Sequence, residues 1–134
     1  IVAGCSSTAK LTAEEAAYID VVEEQTETLT ESFERYVTLM DPSNPLPTWT
    51  SGMAAEGEVW KGLYEDAQDL TPPTRFAELH AKNLEMLKLL TTAGHDLAYA
   101  GANNNVFYLS SGVGYFNDGY KLAGEVKRMV EDAH

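Results

Sequence analysis

The sequence predicts an all-α fold, an antiparallel up-down-up-down bundle of four helices. Three observations support this prediction. Apolar residues recur at spacings of three and four in four successive segments, clusters of proline, glycine and asparagine separate the segments, and the links between them are short. Four amphipathic helices of about 20 to 29 residues joined in this way pack most simply with neighbouring helices antiparallel.

The first helix is predicted to begin at Thr12-Ala13-Glu14-Glu15, a capping box in which Thr12 and Glu15 bond each other's backbone amides. Its apolar positions form one stripe, which consists of Ile19, Val22, Leu29, Phe33, Tyr36 and Met40. Residues 12–41 also hold nine acidic residues against the single base Arg35. We interpret these acids as a solvated face, and the alternative is a docking face for a basic partner or a surface that binds divalent cations weakly.

A loop is predicted over residues 41–48, because three prolines there lack amide donors and hold the residues before them away from helical angles. The second helix should then run from Trp49 to Leu70. Its two tryptophans and Tyr64 fall on the apolar stripe and are predicted to lie in the core. The helix should end at Thr71-Pro72-Pro73, where Thr71 is predicted to cap the third helix.

The third segment has the strongest helical pattern. Its apolar residues are Phe76, Leu79, Leu84, Leu87, Leu90, Leu97 and Ala98. We expect this helix to end near Gly101 and Asn103-Asn104-Asn105, since glycine and asparagine accept the left-handed conformation that closes many helices.

The fourth segment carries a stripe that runs in phase from Val106 through Phe116 and Val126 to Val130. Its first part, residues 106–116, also resembles two short strands around the turn Ser110-Ser111-Gly112. Helix is the favoured interpretation, because the stripe continues without a break of phase.

Composition limits the possible functions. A chain of 134 residues is long enough for one domain with one core. The net charge of −12 opposes nucleic-acid binding, which needs clustered lysine and arginine to neutralise phosphates. A single cysteine, Cys5, excludes a disulfide framework and a cysteine-based metal site.

The first residues form a recognisable pattern around that cysteine. Val2-Ala3-Gly4-Cys5 places an apolar residue and two small residues before Cys5, and a short polar stretch follows it. The pattern resembles the lipobox of bacterial lipoproteins. The resemblance implies that the Cys5 thiol is lipidated, that the signal is cut before Cys5, and that residues 1–11 comprise a signal-peptide remnant, the lipidation site and a flexible tether.

The same resemblance implies a location and a class of partner. The helical domain, residues 12–134, would be held by its lipid anchor on the outer side of the cytoplasmic membrane or at an outer membrane. A protein partner in the cell envelope is expected. We expect no nucleic-acid partner.

The sequence indicates no catalytic residues, no metal site and no cofactor. Its one Glu-x-x-His pair, Glu131 and His134, lies at the end of the last helix, and no phosphate-binding loop or nucleophile elbow is present. A polar pocket is conceivable at Tyr18, His80 and Asn83, at the level of Trp60 on the second helix. The alternative is that His80 is an ordinary hydrogen-bonded histidine.

Three hypotheses follow for the function. The favoured one is a non-catalytic accessory, scaffolding or protein-interaction lipoprotein, which should expose an apolar patch. The second is a small-ligand or ion-binding bundle with a pocket near His80. The third, a hydrolase or metalloenzyme, requires perturbed titratable groups that converge in one cleft.

Overall fold

A computed structural model of the chain describes residues 10–134 and confirms the all-α fold over that range. The chain forms α1 (Ala13–Leu39), α2 (Leu46–Gln68), a 3-10 turn (Thr74–Phe76), α3 (Ala77–Asn103) and α4 (Val106–Ala133). Residues 106–116 are helical, so the favoured interpretation of that segment is confirmed. No strand is present among the described residues. The predicted lipidation site, Cys5, lies outside the described residues.

Neighbouring helices are antiparallel, since residues later in one helix contact residues earlier in the next. The contacts that fix the directions are Leu39 with Gly52, Ser32 with Trp60, Gly57 with Gly94, Thr50 with Gly101, Leu90 with Gly119, and Leu97 with Gly112. Helices α1 and α4 also meet, where Phe33 contacts Phe116 and Tyr120. The order is therefore up, down, up, down, with α1 diagonally opposite α3.

Helix termini follow the predicted chemistry at two places. The Thr12 amide donates to the Glu15 carboxylate at 2.9 Å, and the Glu15 amide donates to the Thr12 hydroxyl at 3.1 Å, which confirms the capping box. Asn104 ends α3 in the left-handed conformation, with φ 49° and ψ 48°. Asn105 then caps α4 by accepting bonds from the amides of Phe107 and Tyr108.

Two predicted boundaries were wrong. Helix α2 begins at Leu46 and not at Trp49, because Pro47 sits in the first turn, where a missing amide donor costs no hydrogen bond. Thr71 does not cap α3. Each residue that precedes a proline is held away from helical angles, so the chain stays non-helical through Pro73, and the 3-10 turn then leads into α3.

Glycines set the distances between α2, α3 and α4. A Cβ built on Gly94 would lie 2.6 Å from the Cα of Gly57 and 3.1 Å from the Trp60 ring. The Cβ positions of Gly112 and Gly119 would come within 3 Å of Leu97 and Leu90 in the same way. The backbones of α2 and α4 therefore approach α3 more closely than any larger residue would permit.

Helix α1 packs through large side chains instead, and its backbone lies farther from its neighbours. The Tyr36 and Phe116 rings are stacked with centroids 3.8 Å apart, and Trp60, fully buried, packs against both. Ile19 and Val22 are also fully buried. An aromatic cluster thus fills the space between α1 and the rest of the bundle.

This packing predicts opposite effects of one substitution at two glycines. Gly94→Ala should lower the free energy of unfolding by about 2 kcal/mol, because the added methyl group meets backbone that has no room to move. Gly62→Ala, where a Cβ meets nothing within 4 Å, should raise it by about 0.5 to 1 kcal/mol through helix propensity. Urea denaturation followed by circular dichroism measures both values, and equal effects would contradict the close approach at Gly94.

Candidate functional site

The three residues predicted to form a polar pocket do not form one group: Tyr18 pairs with His80, and Asn83 pairs with Gln25. The Tyr18 hydroxyl lies 3.0 Å from Nδ1 of His80, and the Tyr18 ring stacks on Phe76. Asn83, fully buried, donates to Oε1 of Gln25 at 3.2 Å. The structure therefore brings Tyr18 and His80 together, while Asn83 bonds a different residue of α1. The surface cavities described below are lined by other residues.

Burial determines the protonation of the Tyr18 and His80 pair. It raises the pKa of Tyr18 to about 12, so the hydroxyl keeps its proton at neutral pH. It lowers the pKa of His80, which favours the neutral imidazole. A neutral ring whose Nδ1 carries no proton accepts the hydrogen bond from the Tyr18 hydroxyl.

Trp60 does not lie at the level of His80, so this part of the prediction was wrong. Its ring packs beside Gly94, which is fourteen residues beyond His80 on α3. The reason is the pairing of Gly57 with Gly94, which sets the register of the two helices and leaves His80 near the C-terminal end of α2.

A buried chain of hydrogen bonds that the sequence patterns did not predict joins α1 and α2. The indole Nε1 of Trp60 donates to Ser32 at 2.8 Å, and the Ser32 hydroxyl donates to Oε1 of Glu56 at 2.6 Å. Arg35 donates to both carboxylate oxygens of Glu56 at 3.0 Å. Glu56 is only 5% exposed, so its carboxylate is buried. The bonds from Ser32 and Arg35 compensate for the loss of water around it.

The sequence does contain a pattern that indicates these buried hydrogen bonds. Ser32 falls in phase with Leu29 and Tyr36, and Glu56 falls in phase with Met53 and Trp60. A polar residue at an inward position of an apolar stripe needs a partner, because an unbonded buried group is costly. The bond to Glu56 also raises the pKa of Arg35 and keeps its guanidinium charged. The arrangement ties two helices together.

A second polar group joins α3 to α4. Ser111 donates to one oxygen of Asp96 at 2.9 Å, and Nδ1 of His95 lies 3.2 Å from the other. A nucleophilic serine would have to bond the imidazole, whereas Ser111 bonds the carboxylate. The Ser111 hydroxyl therefore bonds a carboxylate and not an imidazole, and this bond joins α4 to α3.

Exposed apolar side chains collect at one end of the bundle, where the α1–α2 link and the α3–α4 link lie side by side. We name this surface the apolar tip. Its members, all within about two helical turns of that end, are Val37, Met40, Leu46, Tyr99, Val106, Phe107 and Leu109. Val106 and Phe107 are the most exposed, at 76% and 79%.

Met40 and Val106, two residues of the predicted apolar stripes that belong to the tip, are therefore exposed rather than buried. They lie at helix ends, where neighbouring helices cover less of their surface. A cavity of about 330 Å³ runs between the two links and is lined by Met40, Leu46, Trp49, Val106 and Leu109. The tip thus combines a shallow apolar depression with protruding side chains.

The acidic face of α1 lies in solvent, as predicted. Asp20, Glu24, Glu27 and Glu31 are exposed, and Glu23 bonds His134 at 2.9 Å. Among residues 10–134, no three histidine, cysteine or acidic side chains are grouped so that they could hold a metal ion. In the same range, no helix has the length and apolar character that would let it cross a membrane.

The Tyr18 and His80 pair predicts a pH dependence. Because folding lowers the pKa of His80, the unfolded chain takes up more protons than the folded chain as the pH falls below about 6.5. Wild type should therefore lose stability between pH 8 and pH 5 relative to the His80→Gln variant. Urea denaturation at both pH values measures the difference.

A second variant shows how the loss of a different imidazole changes the pH dependence of stability. His95→Gln removes a ring that is 74% exposed and contacts Asp96 rather than Tyr18. If the stability difference between wild type and His80→Gln stays constant with pH, His80 does not titrate in the way that its burial implies.

Comparisons of the chain with protein-family models, with curated protein sequences and with solved structures found no match.

Proposed function

We propose that this chain is a non-catalytic lipoprotein of the bacterial cell envelope that binds a protein partner through its apolar tip. Lipids on Cys5 would hold it on the outer side of the cytoplasmic membrane or at an outer membrane. One observation carries the proposal. The exposed apolar side chains collect at one end of the bundle. A tether from Cys5 would connect to the opposite end, where α1 begins.

The length of α1 separates the two ends. A helix of 27 residues spans about 40 Å, so the apolar tip lies about that far from Ala13. A tether that anchors the chain before residue 12 would leave the tip pointing away from the bilayer. The acidic face of α1 supports this orientation, because its charge would be repelled by an anionic membrane surface.

The composition of the apolar tip fits a protein partner. Aromatic and aliphatic side chains form its centre, while Asp41, Ser43 and Asn103 lie exposed around it. Protein interfaces are commonly built in this way, with an apolar centre and a polar rim. An apolar surface of this kind on a soluble body usually has a binding role.

The small-ligand or ion-binding alternative at His80 is less favoured. Tyr18 and His80 bond each other, and Asn83 bonds Gln25, so the polar atoms that would meet a ligand already have partners. A ligand there would have to displace these bonds and would gain less than their full energy.

The anchor predicts a mass and a location. Protein purified from its native membranes should begin at Cys5 and carry the added mass of acyl chains, since two chains give stable attachment. Cys5→Ser should move the chain from the membrane fraction to the soluble fraction. Intact-mass spectrometry and fractionation test this, and a soluble wild-type chain with a bare thiol would contradict the proposal.

If the apolar tip binds the partner, polar substitutions there should weaken partner binding and leave the fold intact. We expect the combined change Leu46→Ser, Val106→Ser and Phe107→Ser to weaken partner binding at least tenfold, because it removes three of the four most exposed apolar side chains of the tip. The measurement is photo-cross-linking in native membranes from a reactive residue at the exposed position Ala102.

A matched control uses Val21→Ser, which removes an exposed apolar side chain from α1 well away from the tip. It should cross-link as wild type does, and circular dichroism should be unchanged in both variants. A tip variant that cross-links with the wild-type yield would rule out the tip as the binding surface.

A further inference from the structure

An apolar groove lies between α1 and α4 and meets the apolar tip at one residue, Val37. Its volume is about 490 Å³, within the range of small-molecule sites. Leu29, Met86 and Val126 are buried at its floor, and Phe33, Tyr120 and Ala123 form its walls. From Thr26 to Val37 the groove follows α1 for eleven residues, or about 16 Å.

The groove is open because α4 carries a glycine at its edge. A Cβ built on Gly124 would meet no atom within 4 Å, whereas the same atom on Gly94, Gly112 or Gly119 would collide with a neighbouring helix. The glycines at the other seams are needed for close packing. Gly124 instead leaves space that a larger side chain would occupy without a clash.

The two threonine hydroxyls that line the groove on α1 already donate hydrogen bonds within that helix. The hydroxyl of Thr26 donates to the Val22 carbonyl at 2.8 Å, and that of Thr30 donates to the Thr26 carbonyl at 2.9 Å. Both side chains therefore have a bonding partner inside α1. An occupant would meet mostly apolar surface, which favours an apolar chain over a polar molecule.

The two ends of the groove differ in charge. Lys127 lies at one end, level with Thr26 and Thr30, and forms no ion pair with any described residue. Glu34 lies at the other end, eight residues and about 12 Å along α1 from Thr26. A negatively charged group is attracted at the Lys127 end and repelled at the Glu34 end.

We propose that this groove binds a free saturated fatty acid of about 12 to 14 carbons, a length that matches its 16 Å extent. The carboxylate lies beside Lys127, and the chain runs over Leu29 and Phe33 toward Val37. The site does not involve the lipid anchor, and it shares only Val37 with the apolar tip.

The first experiment titrates laurate, below its micelle concentration and at low salt, into the full 134-residue chain by isothermal titration calorimetry. Wild type should bind one laurate, and decanoate should bind about tenfold more weakly, since each methylene contributes about a threefold to fourfold change in affinity. Gly124→Leu fills the groove and should weaken laurate binding at least tenfold. Circular dichroism should show that this variant is folded.

The matched control is Gly114→Leu, because Gly114 also lies on α4 and its Cβ would also meet nothing within 4 Å. It gains the same helix propensity but does not line the groove. Laurate should bind this variant with the affinity of wild type. Equal weakening by Gly114→Leu and Gly124→Leu would overturn the proposal.

A second pair of variants tests the headgroup. Lys127→Glu should weaken laurate binding about fivefold to tenfold and leave binding of uncharged dodecanol unchanged. Lys121→Glu, on the same helix but outside the groove lining, changes the net charge equally and should have a smaller effect. Equal effects of the two charge reversals would overturn the placement of the carboxylate.

Other occupants give different results, and each of them overturns the proposal. Laurate that does not bind wild type excludes the fatty acid. Dodecyltrimethylammonium that binds as tightly as laurate excludes recognition by Lys127. A wild-type dimer that Gly124→Leu converts to a monomer in size-exclusion chromatography identifies a second copy of the chain as the occupant.

Discussion

The close approach of α2 and α3 at Gly57 and Gly94 is the constraint on which the rest of this structure depends. Together with Gly112 and Gly119 on α4, these glycines draw three helix backbones together. Helix α1 meets a glycine of another helix at its C-terminal end, where Leu39 faces Gly52, and the rest of its backbone stays farther away. The fold is therefore a closely packed set of three helices with a fourth helix attached, and both exposed apolar surfaces lie at edges that this arrangement leaves uncovered.

The attachment of α1 uses different interactions from the rest of the bundle. Stacked aromatic rings and the buried chain from Trp60 through Ser32 to Glu56 hold it, with Arg35 closing the chain at the surface. Such polar chains have strict geometry, so they fix the register of α1 on α2. On α4, Tyr120 is followed by the small residues Ala123 and Gly124, and the space beside these small residues forms the groove.

Local features could be predicted from the sequence because they depend on residues near one another in the chain. The capping box at Thr12, the left-handed Asn104 and the periodicity of all four helices are of this kind. Register between helices was not predictable, since it follows from which glycines meet, and Trp60 was therefore placed at the wrong level. The tip was missed because periodicity assigns Val106 to the core without showing where the neighbouring helices end.

Native-state hydrogen exchange tests most directly whether α1 is attached less firmly than α2, α3 and α4 are to one another. Amides in α3, which lies between two glycine seams, should exchange only through global unfolding, and those in the middle of α1 should exchange through a smaller opening with a lower free energy. The measurement is exchange over a range of low urea concentrations, resolved by residue. If α1 and α3 exchange with the same free energy and the same urea dependence, the bundle unfolds as one unit and the separate attachment of α1 is contradicted.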